Sequence, residues 1–232
     1  AYENDFHYVI ESKTRFTSTV DDKILNLRYQ AGSNLFWLLS AKGLYKFNPA
    51  TNTNLLVYSG TELTSFDIQG NNAVVGSKKG YFVVDLTTGK ASSLHQKLPV
   101  IDITAVCVIG DRIWFGSTNG AFASRKDGKY DYYQGERWLP GNLVKSIKPG
   151  PNNSVLVVTD AGLGQICFKS MTLHEKAQFF QQQVRQRHIR NGFNASLSGM
   201  EKGNLSSGFL ADSDNDGLWT SMYFGAEIFR YA

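Results

Sequence analysis

The sequence predicts an all-β chain built as a β-propeller, with four clear blades of about 40 residues, a fifth at the C-terminal end and one helix inserted after Phe168. Three observations predict it. Gly43, Gly80, Gly120 and Gly162 each lie four residues after the end of an apolar run, at Leu39, Gly76, Gly116 and Val158. Trp37, Val74, Trp114 and Leu156 precede those ends by two residues, and the hydroxylic Ser40, Ser77, Ser117 and Thr159 follow them directly. Upstream of each copy stands an apolar pair three residues apart: Ile24 and Leu27, Leu63 and Phe66, Ile103 and Val106, Val144 and Ile147. The first members recur at steps of about 39, 40 and 41 residues, the length of one blade. Runs of Val, Ile, Phe and Tyr separated by Gly, Asn and Asp favour four-stranded blades over helical repeats.

Taken in order, residues 5–16 read as one strand with an aromatic and β-branched centre, placed to close the ring by completing the C-terminal blade and so removing a sheet edge. The four repeats occupy 20–171. Blade one spans 20–59, with an outer turn at 48–52 where Pro49 fixes φ and the asparagines tolerate a left-handed backbone. Blade two spans 63–98 with its turn at 87–90, and blade three spans 103–139 with its turn at 126–129. Blade four starts at Val144 and reaches Phe168.

A helix is expected over 172–192. Thr172 and Glu175 have the spacing of a capping box, Leu173, Ala177, Phe180, Val184 and His188 recur at helical spacing, and Gly192 supplies the stop. After a Gly-, Asn- and Ser-rich connector, 205–232 reads in two ways. Aligned on the repeat, Trp219 falls opposite Trp37 and Trp114, and Gly225 opposite the turn glycines. By propensity alone, 222–232 is a helix. The fifth blade is preferred, because it gives the N-terminal strand a ring to close.

The 232 residues, 42% hydrophobic, are enough for a substantial core and read as one domain, 1–232. A net charge of +4 with scattered basic residues implies no nucleic-acid partner, and no apolar run approaches the roughly 18 residues of a membrane span. The start on Ala1, with no Met and no signal peptide, reads as a processed or trimmed terminus. Cys107 and Cys167 fall on strands that are not neighbours in a propeller, so two buried thiols are expected and not a disulfide. Sequons at Asn152, Asn194 and Asn204 fit a secreted or extracytoplasmic glycoprotein.

The stretches 34–47 and 111–122, Asn-Leu-Phe-Trp-Leu-Leu-Ser-Ala-Lys-Gly-Leu-Tyr-Lys-Phe and Asp-Arg-Ile-Trp-Phe-Gly-Ser-Thr-Asn-Gly-Ala-Phe, carry a resemblance. They are similar to the propeller repeats of the extracellular sensor regions of hybrid two-component regulators, over about 20–168. The resemblance implies an extracytoplasmic ligand-binding propeller, often for glycans, although this chain has fewer repeats than the usual seven blades and no kinase segment. Residues 187–193 and 214–232 resemble the opening of helical-toroid domains that follow propellers in some carbohydrate-active proteins. That second resemblance implies a chain that stops inside a helix.

Few residues suggest chemistry. Asp212, Asp214 and Asp216 alternate before Gly217, the start of a calcium-loop pattern. Tyr223 stands where a bidentate Glu would close an EF-hand, so either distant residues complete a Ca²⁺ site or the stretch is an acidic turn feeding a strand. His188, flanked by Arg187 and Arg190, could meet an anionic group or simply end a helix. Trp37, Trp114 and Trp219 are expected in blade cores, while Trp138, in a loop with Arg137 and Pro140, is the candidate sugar platform. No nucleophile elbow, phosphate loop or zinc motif is present. The leading expectation is a binding module whose small-molecule or glycan ligand sits in the loops at one mouth of the ring. The alternatives are a chain or N-terminal part of a carbohydrate-processing enzyme, with Asp214, Asp216, Arg187, His188 and Arg190 at its site, and a structural domain that docks another protein chain.

Overall fold

The structure is a computed structural model that describes residues 5–10, 13–20, 22–201, 204 and 206–231, with 5–10 and 13–19 described by their backbone. The chain divides into two compact units, Ala1–Cys167 and Phe168–Ala232.

In the first unit β1 (Asp5–Ile10) and β2 (Lys13–Thr19) form an antiparallel pair, followed by four blades. Blade one is β3 (Ile24–Gln30), β4 (Leu35–Ser40), β5 (Gly43–Asn48) and β6 (Thr53–Ser59). Blade two is β7 (Leu63–Gln69), β8 (Asn72–Ser77) and β9 (Gly80–Asp85), with isolated bridges from Tyr81 to His95 and from Val84 to Ala91 in place of a regular fourth strand. Blade three is β10 (Ile103–Ile109), β11 (Arg112–Ser117), β12 (Gly120–Ser124) and β13 (Tyr130–Tyr133). Blade four is β14 (Val144–Pro149), β15 (Val155–Thr159) and β16 (Leu163–Ile166).

The repeated residues have repeated jobs. The conserved hydroxyl ties its hairpin: Ser77 and Ser117 donate to the carbonyls of Gly80 and Gly120 at 3.0 and 2.7 Å, and Thr159 does the same to Gly162 at 3.0 Å. Ser40 instead accepts from the Lys42 and Gly43 amides. The apolar pairs of the inner strands of blades two, three and four pack into the face of the blade before. A Cβ on Gly76 would lie 2.6 Å from Ile103 Cγ2, and one on Gly116 would lie 2.4 Å from Val144 Cγ1, so the next blade's residue fills the space a side chain would take. Clusters around Trp37 and Phe66, Val74 and Val106, and Trp114 and Ile147 are the three inter-blade cores. Among the described residues the array is open between blade four and blade one. Leu27 is 36% exposed although its equivalents Phe66, Val106 and Ile147 are buried, and Val158 on the other flank is 40% exposed.

In the second unit, α1 (Leu173–His188) begins at Thr172 with the expected capping box, the Glu175 amide donating to Thr172 Oγ1 and the Thr172 amide to Glu175 Oε2. It ends at His188, earlier than Gly192, which lies between the short strands β17 (Ile189–Arg190) and β18 (Phe193–Asn194). Strands β19 (Ser196–Ser198) and β20 (Phe209–Ala211) pair next, and α2 (Asp216–Tyr231) follows. Among the described residues no helix is long and apolar enough to cross a membrane.

Three expectations are corrected here. The fifth blade over 205–232 is absent: its described part is β20 and α2, while 205 and 232 lie outside the described residues. The cause is legible in the repeat itself, because Met222 stands where the other copies have the hydroxyl that ties the turn. Thr220 and Ser221 donate instead to the carbonyls four residues back, as in a helix. Trp219 is accordingly half exposed on α2 and is no blade core. The strand expected over 5–16 is two strands paired with each other, with 11 and 12 outside the described residues, so it does not complete a C-terminal blade. Cys107 is buried as expected, but Cys167 is exposed.

The capping box makes a pH prediction. The Thr172 amide and hydroxyl hold the exposed Glu175 carboxyl below the ordinary glutamate range. A depressed carboxylate supports structure above its unfolded-state pKa and loses that support as pH falls through the folded value. An NMR titration should therefore place the Glu175 midpoint below that of an unstructured peptide, with Thr172 amide protection lost over the same range. A midpoint at the peptide value would mean that the box does not form in solution.

Candidate functional site

The inner strand of every blade leaves one edge unpaired by its own sheet, and these edges are stitched across blades by side chains. Blade two supplies most of the stitches to blade three. Ser65 Oγ accepts from the Val106 amide at 3.0 Å, and Asp67 Oδ2 accepts from the Val108 amide at 2.8 Å. Asn26 Nδ2 donates to Ser65 Oγ at 3.3 Å, and Thr104 Oγ1 donates to the Val144 carbonyl at 2.6 Å.

At the fifth position of the inner strand, Arg28, Asp67, Cys107 and Lys148 are equivalent in the four blades. Arg28 Nε pairs with Asp67 Oδ1 at 2.7 Å, with both side chains mostly buried. Burial, then the Asp67 charge beside it, pushes the Cys107 thiol up to about 11, so Cys107 stays protonated. The Arg28 ion pair and the Val108 amide together fix the orientation of the Asp67 carboxylate.

Beside this chain lies a concavity of about 370 Å³ to which all four inner strands contribute, including Arg28, Thr64, Ser65, Thr104, Lys145 and Lys148. That volume is within the range of ligand sites. Its wall holds three cations and no carboxylate. Thr64 Oγ1 is buried in this wall with no hydrogen-bond partner. An orphaned hydroxyl is costly unless a ligand or water engages it.

The residues singled out in the sequence lie elsewhere. Trp138 is half exposed, edge-on to Tyr133 with ring centroids 5.4 Å apart and the Arg137 guanidinium over its face, outside the concavity. In the second unit, Arg190 Nη1 pairs with Asp212 Oδ1 at 2.7 Å and donates to the Leu210 carbonyl, tying the end of α1 to β20. His188 exchanges its carbonyl and ring with Ala195, and Arg187 Nε is buried without a partner. Asp216 accepts from the Ser213 amide at 3.1 Å while Ser213 Oγ accepts from Asn215, so the acidic stretch starts a helix and does not feed a strand. Asp214 is exposed and, among the described residues, meets only the Ser213 hydroxyl. Among the described residues no group of three or more His, Cys, Asp and Glu side chains could hold a metal ion. Asn152 and Asn204 are exposed, whereas Asn194 is half-buried and its amide donates to Thr220.

The axial concavity was missed because the sequence reading looked for ligands in loops. The signal was present: a repeat position that is polar in three copies and a thiol in the other has a role other than packing.

No family model and no curated protein matches the sequence. Solved structures do match. The extracellular domain of the putative hybrid two-component system BT4673 from B. thetaiotaomicron superposes with a TM-score of 0.52 at 17% identity, over 74% of this chain and 24% of that one. The WD40 β-propeller domain of Doa1 gives 0.58 at 14% identity, over 72% and 58%, and the computationally designed Ika4 protein 0.50 at 17%, over 65% and 94%. The chain thus spans about a quarter of the length of the bacterial extracellular domain. At these identities the likeness is one of fold, and the fold of the first unit is that of a β-propeller.

Proposed function

We propose that the chain is an extracytoplasmic ligand-binding module that takes a saccharide in the axial concavity of its propeller blades. The observation that carries this reading is the concavity itself, of about 370 Å³, built from four inner strands around an orphaned Thr64 hydroxyl. Ser, Thr and Asn groups along its wall suit hydroxyl-rich ligands. The sequons and the likeness to an extracellular sensor domain support the location. Asp212, Asp216, His188 and Arg190 are engaged in contacts within the second unit, so binding is favoured over bond cleavage.

The test is a saccharide array on the native protein, followed by mass analysis of any bound saccharide for cleavage. Binding without cleavage is the expected result, and Thr64→Val should weaken it several-fold without lowering Tm, because a hydroxyl with no protein partner stabilises nothing. Retained affinity in Thr64→Val, or product formation, would count against this site and this role.

A further inference from the structure

Resting on that saccharide-binding reading, we infer that the ligand is acidic, and that a carboxylate or sulfate group on it sits between Lys145, Lys148 and Arg28. The wall of the concavity carries these three cations and no carboxylate. Arg28 is shared with Asp67, which turns part of its charge away. Lys145 and Lys148, on β14, are different: neither has an ion-pair partner among the described residues. They lie three residues apart on one strand whose register shifts between Val144 and Ser146, and Ile147 between them is buried against blade three. The strand that carries both ammonium groups is therefore fixed by core packing, which limits the ordering cost of gathering them on an anion.

The wall carries hydroxyls as well as charge: Thr64 and Ser65 on blade two, and Thr104 on blade three, whose Oγ1 donates to the Val144 carbonyl beside Lys145. A ligand with both hydroxyls and an anionic oxygen group answers both sets, the unpartnered Thr64 hydroxyl included. A neutral sugar would leave the cations to water. A bare phosphate or citrate would leave the hydroxyls unused. An acidic saccharide is the ligand class that answers both.

The experiment is titration calorimetry of the full chain at low and high NaCl with a galacturonic acid tetrasaccharide, its methyl ester and a sulfated galactan tetrasaccharide. Inorganic phosphate and citrate serve as anions without a sugar. At least one acidic saccharide should bind ten-fold or more tightly than the methyl ester, and high salt should erase most of that difference. Which acid binds distinguishes carboxylate from sulfate. Lys145→Gln with Lys148→Gln should lose the ten-fold preference, while Lys126→Gln, whose partner is Asp111 on another surface, should keep it. Equal affinity for acid and ester, or a preference that survives the double substitution, overturns the anion seat and leaves the saccharide reading standing. Binding of phosphate or citrate but of no saccharide overturns the saccharide reading, and no binding at all overturns both. All these substitutions are at exposed side chains, and unchanged circular dichroism checks the fold of each variant.

Discussion

Replacing Trp114 by Ala should destabilise the propeller unit by about 3–5 kcal/mol, a large part of the 5–15 kcal/mol that holds a typical domain folded. The indole is 1% exposed and stacks on Tyr133 with centroids 5.5 Å apart, in the core that joins blade three to blade four. Truncation leaves a cavity walled by strands of both blades, and strands held by their own ladders cannot collapse into it. The control is Trp219→Ala. By the repeat alignment these two tryptophans are equivalent, but in the structure Trp219 is half exposed on α2. Its loss should move the strand signal in urea by less than about 0.5 kcal/mol. Comparable losses from the two variants would mean that Trp219 does belong to a blade and that α2 is the wrong assignment.

The same pair shows what the sequence could say. Blades one to four were legible because several constraints coincide in each copy: an apolar pair that must enter the neighbouring blade, a hydroxyl that must tie a turn, and a glycine where the turn closes. Trp219 and Gly225 satisfy the two most visible constraints and miss the hydroxyl. The tertiary role of that hydroxyl could be weighed only once Ser77 and Ser117 were seen to donate to their turns. α1 was legible from its cap, which is local. Its end was not, because no glycine ends it: the Ala195 amide takes up the His188 carbonyl from a residue that the sequence does not mark as a neighbour.

The candidate site was less legible for a related reason. Asp212, Asp214 and Asp216 look like ligands because they are close in sequence, yet one is engaged by Arg190 and another closes a helix start. Arg28, Asp67, Cys107 and Lys148 are spread over about 120 residues, and only the repeat register brings them together. Cross-blade stitches such as Asp67 to the Val108 amide are invisible to any local pattern, since donor and acceptor are an entire blade apart.

Gly80→Ala should cost about 3 kcal/mol, and Gly110→Ala about 1 kcal/mol, although both glycines have positive φ. At Gly110 φ is +60° and a Cβ would meet nothing within 4 Å, so only the left-handed backbone is charged to alanine. At Gly80 φ is +129° and a Cβ would stand 2.2 Å from the His95 carbonyl oxygen. That oxygen accepts from the Tyr81 amide at 3.2 Å, and Tyr81 returns a carbonyl to the His95 amide at 2.7 Å. This pair of hydrogen bonds is one of the two bridges that hold the segment replacing blade two's fourth strand. A methyl group on Gly80 cannot be accommodated by rotating a side chain, because the atom it meets is backbone; the segment must move away from β9. Hydrogen exchange should then rise at the His95 amide in Gly80→Ala and stay unchanged there in Gly110→Ala. If the two variants lost equal stability with the His95 amide equally protected, the segment would not lie against Gly80, and blade two would be a three-stranded blade with a free outer edge.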